Sequence, residues 1–127
     1  MKKTVTIKSN RDFQRLYHRG RSAAGPTLVL YWQKNRNGES RLGITTGTKL
    51  GHAVVRNRVR RQIREIYRLH REELLPGRDI VVVARVRAVH AGYHAMERDF
   101  LRMAKKLGLL KAGPLPSQKE KAPWGEP

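Results

Sequence analysis

The sequence predicts a two-layer α+β sandwich in the order α-β-β-α-β-α, with helices packed against a small sheet. Three observations predict it. Residues 27–33 alternate at period two, residues 80–84 form an unbroken apolar run, and two long stretches carry apolar residues at helical spacing.

The first helix opens at Ser9, an N-cap residue, with Asp12 three positions on in the manner of a capping box. Phe13, Leu16 and Tyr17 then share one face, and Gly20 stops the helix. In the strand over 27–33, Leu28, Leu30 and Trp32 point one way, and Thr27, Val29, Tyr31 and Gln33 form a semi-polar opposite face. Asn37-Gly38 reads as a hairpin turn, because both residues tolerate positive φ. The return strand is placed over 41–46, with Leu42 and Ile44 towards the core.

The second helix runs from about His52 to about Leu74. Val55, Val59, Ile63, Ile66, Tyr67, His70 and Leu74 fall within one arc of about 120°. Pro76-Gly77 ends it. The run Ile80-Val81-Val82-Val83-Ala84 has the composition of a central strand, or one covered on both faces. A third helix from about Gly92 to Leu107 carries Tyr93, Met96, Phe100, Met103 and Leu107 at core spacing. The strands flanking the second helix are expected to be parallel neighbours, and the general rule makes that crossover right-handed. Residues 112–127 hold four of the six prolines, so they are read as a disordered tail beyond a single domain of residues 1–111.

Charge narrows the function. In 127 residues there are 28 Lys and Arg against 10 Asp and Glu, a net charge of +18. A metabolic enzyme with a neutral substrate gains nothing from such self-repulsion, whereas a polyanionic partner relieves it. The absence of cysteine excludes a disulfide scaffold, an iron–sulfur cluster and cysteine-type zinc sites. No apolar run approaches the ~20 residues of a membrane span. The N-terminus begins like a signal peptide but turns polar at Ser9, Asn10 and Arg11, so a cytoplasmic location with no membrane partner is expected.

The informative stretch is Lys49-Leu50-Gly51-His52-Ala53-Val54-Val55-Arg56-Asn57-Arg58-Val59-Arg60-Arg61-Gln62-Ile63-Arg64-Glu65. Asn57, Arg60, Arg61, Arg64, Arg68 and Arg71 line one side of the helix, opposite its apolar arc, with Arg56 at the seam and Arg58 on the far edge. Like charges at i,i+4 cost about 0.2–0.5 kcal/mol per pair. Cations near a helix N-terminus are disfavoured as well. A merely solvated face would interleave glutamate with lysine. Guanidinium groups fork onto phosphate oxygens, so the pattern fits a helix laid along a nucleic-acid backbone. Asn57 can read a base edge or a ribose hydroxyl, or serve as an ordinary surface residue. Phe13, Tyr17 and Tyr31, with Arg15, Arg19 and Arg21 nearby, fit either plain core or a cleft that stacks unpaired bases.

Catalytic patterns are poor. His90 and His94 have i,i+4 spacing without a third ligand, and no nucleophile–base arrangement can be argued. The chain reads as built to bind nucleic acid rather than to react.

The run from Lys49 to Glu65, centred on Arg56-Asn57-Arg58, resembles the RNR motif of the bacterial ribonuclease P protein component. The similarity extends over roughly residues 9–110 and takes in Phe13-x-x-x-Tyr17-x-x-Gly20, Arg41-Leu42-Gly43-Ile44 and Asp79-Ile80-Val81-Val82-Val83-Ala84-Arg85. It departs at Thr48-Lys49, where that family usually has paired basic residues. The resemblance implies a ribosomal S5 domain 2-like fold with a left-handed βαβ crossover, against the general rule. It also implies a partner, the catalytic RNA of ribonuclease P, which uses magnesium to remove the 5′ leader of precursor tRNA. The chain itself would bind no cofactor or small-molecule substrate and carry no catalytic residue. Lys49, Arg56, Asn57, Arg58, Arg60, Arg61, Arg64 and Arg68 would meet the RNA subunit, and Phe13, Tyr17 and Tyr31 would line the leader cleft.

Overall fold

The computed structural model describes residues 4–36 and 38–111. Its elements are β1 (Val5–Thr6), α1 (Asn10–Arg19), β2 (Arg21–Ala24), β3 (Leu28–Lys34), β4 (Arg41–Thr45), α2 (Ala53–His70), β5 (Arg78–Ala84), α3 (Arg87–Ala91) and α4 (Tyr93–Lys106). The α+β class stands, and the sheet has five strands in the order β1-β4-β5-β3-β2.

β5 lies at the centre of that order, antiparallel to β3 and parallel to β4. Its continuous apolar run follows from this position, because both of its faces are covered. Ile80, Val82 and Ala84 join the main core beneath α2 and α4, where Leu28, Leu30, Trp32, Leu42, Ile63, Ile66 and Phe100 also pack. Val81 faces the other way, into a smaller cluster with Ile7 and Leu16 under α1. The expected parallel pairing of the strands around α2 is present: Leu42 lies opposite Ile80 and Ile44 opposite Val82.

Several local expectations are corrected. The turn at Gly38 (φ +75°) does not close a hairpin, because β3 and β4 do not pair; β5 is inserted between them. The turn chemistry is local, whereas strand partnership is decided by which apolar surfaces must be covered on both faces. Asn37 lies outside the described residues, as do residues 112–127, the expected tail. Ser9 makes no side-chain capping bond. Asp12 turns instead to Arg15 at 2.7 Å and Arg41 at 3.3 Å, charge-assisted contacts stronger than a neutral cap. α2 ends at His70 and tightens into a 3-10 turn over Arg71–Glu73, so Leu74 reaches the core from an isolated bridge to Leu110 rather than from the helix. The short elements β1, β2 and α3 carry too few residues to show a period.

Candidate nucleic-acid interface

A 3-10 turn over Thr48–Leu50 leads into α2, and Gly51, at φ +137°, bends the chain into the helix. β-Branched or long side chains rarely adopt that backbone conformation. Val59, Ile63, Ile66 and Tyr67 anchor the buried side of α2. This leaves Asn57, Arg58, Arg61, Arg64 and Arg68 exposed along the rest of the helix, with Lys49 exposed just before it.

What those cations touch is the deciding observation. Arg68 pairs with Glu65 at 2.6 Å, and its hydrogen bond holds the Glu65 carboxyl below the usual carboxylate range. Arg56 donates from Nε to the Thr46 carbonyl at 3.1 Å. Arg60 donates to the Thr46 hydroxyl at 2.7 Å and to Asn57 Oδ1 at 2.8 Å. These partners are uncharged. Among the described residues, Lys49, Arg58, Arg61 and Arg64 have no ion pair, so one acid answers the six arginines of α2. Among the described residues, the basic helix is not neutralised.

The three rings come together on the opposite side of the sheet. Phe13 and Tyr17 lie 6.3 Å apart between centroids, and Tyr17 meets Tyr31 edge-on at 5.1 Å and 68°. All three are half-buried and, with Val83, pack against the cluster of Ile7, Leu16 and Val81. The Tyr17 hydroxyl lies 2.9 Å from Thr45 Oγ1. They are therefore both core and surface: they help seal α1 to the sheet while each stays partly open to solvent.

The cations expected around the rings are arranged differently. Arg15 is held by Asp12 and by Asp79, the latter at 3.3 Å. Arg21 lies on the other face of the sheet, 5.8 Å from the Trp32 ring, because its register partner in β3 is Trp32. Arg19 lines a basic depression with Lys34, Arg36 and Arg41. A crevice of about 110 Å³ between Thr6, Ile7, Phe13, Ile44, Arg60 and Arg64 brings the ring cluster and the arginine helix to one edge of the sheet.

Among the described residues no three His, Asp or Glu side chains converge as a metal site, and His90 and His94 stand exposed. No described helix is long and apolar enough to cross a membrane. Sequence reasoning missed Thr45, Thr46 and Gly43. Strand alternation through β4 would have placed Gly43 and Thr45 on the ring side and Thr46 on the helix side.

Fold and site together define a small basic α+β protein with an unneutralised arginine helix on one face of its sheet and an aromatic cluster on the other. The Ribonuclease P family model matches residues 1–108. The chain belongs to that family, whose members are the protein subunits of ribonuclease P, an endoribonuclease of tRNA processing. It is 40% identical over 111 residues to the ribonuclease P protein component of Natranaerobius thermophilus, covering 87% of this chain and 96% of that one. Among solved structures, the Staphylococcus aureus RNase P protein matches with a TM-score of 0.77 at 35% identity, covering 86% of this chain and all of that one. The Thermotoga maritima RNase P protein matches with a TM-score of 0.69 at 30% identity, covering 76% and 92%.

Proposed function

We propose that this chain binds the catalytic RNA of ribonuclease P through α2 and the single-stranded 5′ leader of precursor tRNA through its ring cluster, promoting endonucleolytic removal of the leader. One observation carries the reading: Arg58, Arg61 and Arg64 stand exposed on one helix without a carboxylate partner among the described residues. Repulsion along such a helix is relieved when phosphates take the place of missing acids, and guanidinium forks match phosphate oxygens in pairs. Lys49, Arg56, Asn57, Arg60 and Arg68 extend the same contact.

Phe13, Tyr17 and Tyr31 are half-buried rings gathered on one side of the sheet, and aromatic side chains left partly open to solvent suit stacking of unpaired bases at about 1–3 kcal/mol per base. In this reading the catalytic centre and its magnesium belong to the RNA partner in the cytoplasm. The protein's work is to lower the electrostatic cost of bringing two polyanions together.

Cleavage of precursor tRNA at low magnesium tests this, with the catalytic RNA alone, the protein alone and both together. The expected result is no cleavage by the protein, slow cleavage by the RNA and fast cleavage by the pair. Cleavage by the protein alone points to a self-contained nuclease. No enhancement of the RNA points to a structural RNA-binding protein.

A further inference from the structure

Successive residues of a strand face opposite sides of the sheet. At the end of β4 this alternation gives each candidate surface one threonine. Thr45 turns to the rings, with its Oγ1 2.9 Å from the Tyr17 hydroxyl. Thr46, only 4% exposed, turns to α2. Its carbonyl accepts from Arg56 Nε at 3.1 Å, and its hydroxyl oxygen accepts from Arg60 Nη2 at 2.7 Å.

These bonds leave the arginines able to bind. A guanidinium carries five N–H donors. Arg60 commits one from each Nη, to Thr46 and to Asn57, and keeps its Nε–H and the other N–H on each Nη. Arg56 commits only Nε and keeps both Nη groups, the forked end that matches a phosphate. A long side chain that is already held loses less freedom on binding than a free one. Neither threonine carries charge, so the arginines are oriented without being neutralised.

We propose that Thr46 and Thr45 are positioning residues for the two surfaces. Thr46 fixes the Arg56 and Arg60 guanidiniums for RNA phosphates, and Thr45 fixes the Tyr17 ring for a leader base. This rests on the RNA-binding reading above, and the test separates the two.

Thr46→Val keeps the branched shape and the carbonyl and removes only the hydroxyl acceptor. Affinity for the catalytic RNA is measured by titration, and affinity for precursor and mature tRNA on the assembled holoenzyme. Thr46→Val weakens catalytic-RNA binding about three- to tenfold. Thr46→Ser restores it, and in an Arg60→Ala background Thr46→Val has no further effect. Thr45→Val leaves catalytic-RNA binding unchanged and narrows the preference for leader-bearing over mature tRNA.

A loss from Thr46→Val that is the same with and without Arg60 overturns the proposal, because the threonine then acts through the fold. Full affinity in Thr46→Val while Arg60→Ala binds weakly also overturns it and leaves the RNA-binding reading standing. An unchanged leader preference in Thr45→Val overturns the Tyr17 half. If Arg60→Ala itself costs nothing, Arg60 is outside the contact and the Thr46 half is overturned, whereas the helix-face reading, carried by Arg58, Arg61 and Arg64, fails only if their substitution also costs nothing.

Discussion

The Phe13 ring lies so close over Gly43 that a β-carbon at residue 43 would stand 2.8 Å from two of its ring atoms. Glycine in a strand interior weakens the strand but admits a close neighbour. Here the neighbour is the ring that joins α1 to the sheet and begins the aromatic cluster. Gly43→Ala is expected to destabilise the fold by about 1–3 kcal/mol through overpacking. Chemical denaturation measures the loss, and Phe13→Leu in the same background recovers part of it.

Asp79 is 1% exposed and accepts hydrogen bonds from Arg41 Nη2 at 2.7 Å, from Arg41 Nε and Asn35 Nδ2 at 2.9 Å each, and from Arg15 at 3.3 Å. Burial pushes its carboxyl up, but the bonds from Arg41 and Asn35 and the charges of Arg41 and Arg15 outweigh that and hold it below the ordinary aspartate range. Its folded pKa is therefore depressed. The stabilisation is present above about pH 4, the unfolded value, and is lost as pH falls through the lower folded value. Asp79→Asn is expected to cost about 3 kcal/mol at pH 7, the low end for a broken buried pair because both arginines reach solvent. Denaturation of both proteins from pH 7 to pH 2 shows the gap closing below about pH 4.

His70 joins α2 to α4, with Nδ1 2.8 Å from Glu73 and Nε2 2.7 Å from Glu97. Burial lowers its proton affinity, and the hydrogen bonds and charges of the two glutamates more than reverse that, so its pKa is raised. The sign is opposite to that of Asp79. Its contribution is complete below about pH 6.5, the unfolded value, and disappears as pH rises through the folded value. In the neutral ring only one nitrogen can donate. His70→Gln is expected to be less stable than the parent at pH 6 and to approach it at pH 9, as read from thermal unfolding.

Arg61 and Arg64 are the exposed cations with least to lose from the fold itself. Arg61→Ala with Arg64→Ala is expected to leave stability within about 0.5 kcal/mol. The same change should weaken catalytic-RNA binding and flatten its salt dependence by about 0.7–0.9 per lost phosphate contact. Titrations across a range of salt concentrations give that slope directly. An unchanged slope removes these two residues from the contact.

Tyr31 shares its ring between core and surface, so truncation alone would mix two effects. Tyr31→Leu keeps most of the buried area and removes the aromatic face. It is expected to lower holoenzyme affinity for leader-bearing tRNA while sparing mature tRNA, by about 1–3 kcal/mol if one base is stacked. Equal loss for both substrates assigns the ring to packing alone.

The sequence by itself determined the α+β class, the three main helices, the strands read over 27–33 and 80–84, and the cationic side of α2. Each of these is written in residue periodicity or in charge density, which are properties of neighbours along the chain. Only the tertiary structure decided that β5 separates β3 from β4, since strand order depends on which surfaces must be covered and the Asn37-Gly38 turn reports only local backbone. It also decided the fate of individual cations. Arg15 and Arg41 converge on a buried carboxylate contributed by a distant strand, Arg21 crosses to the Trp32 face, and Arg58, Arg61 and Arg64 are left without an acid among the described residues. In sequence all of these are arginines in a basic chain; Coulomb energy depends on distances in space, and only the fold sets those.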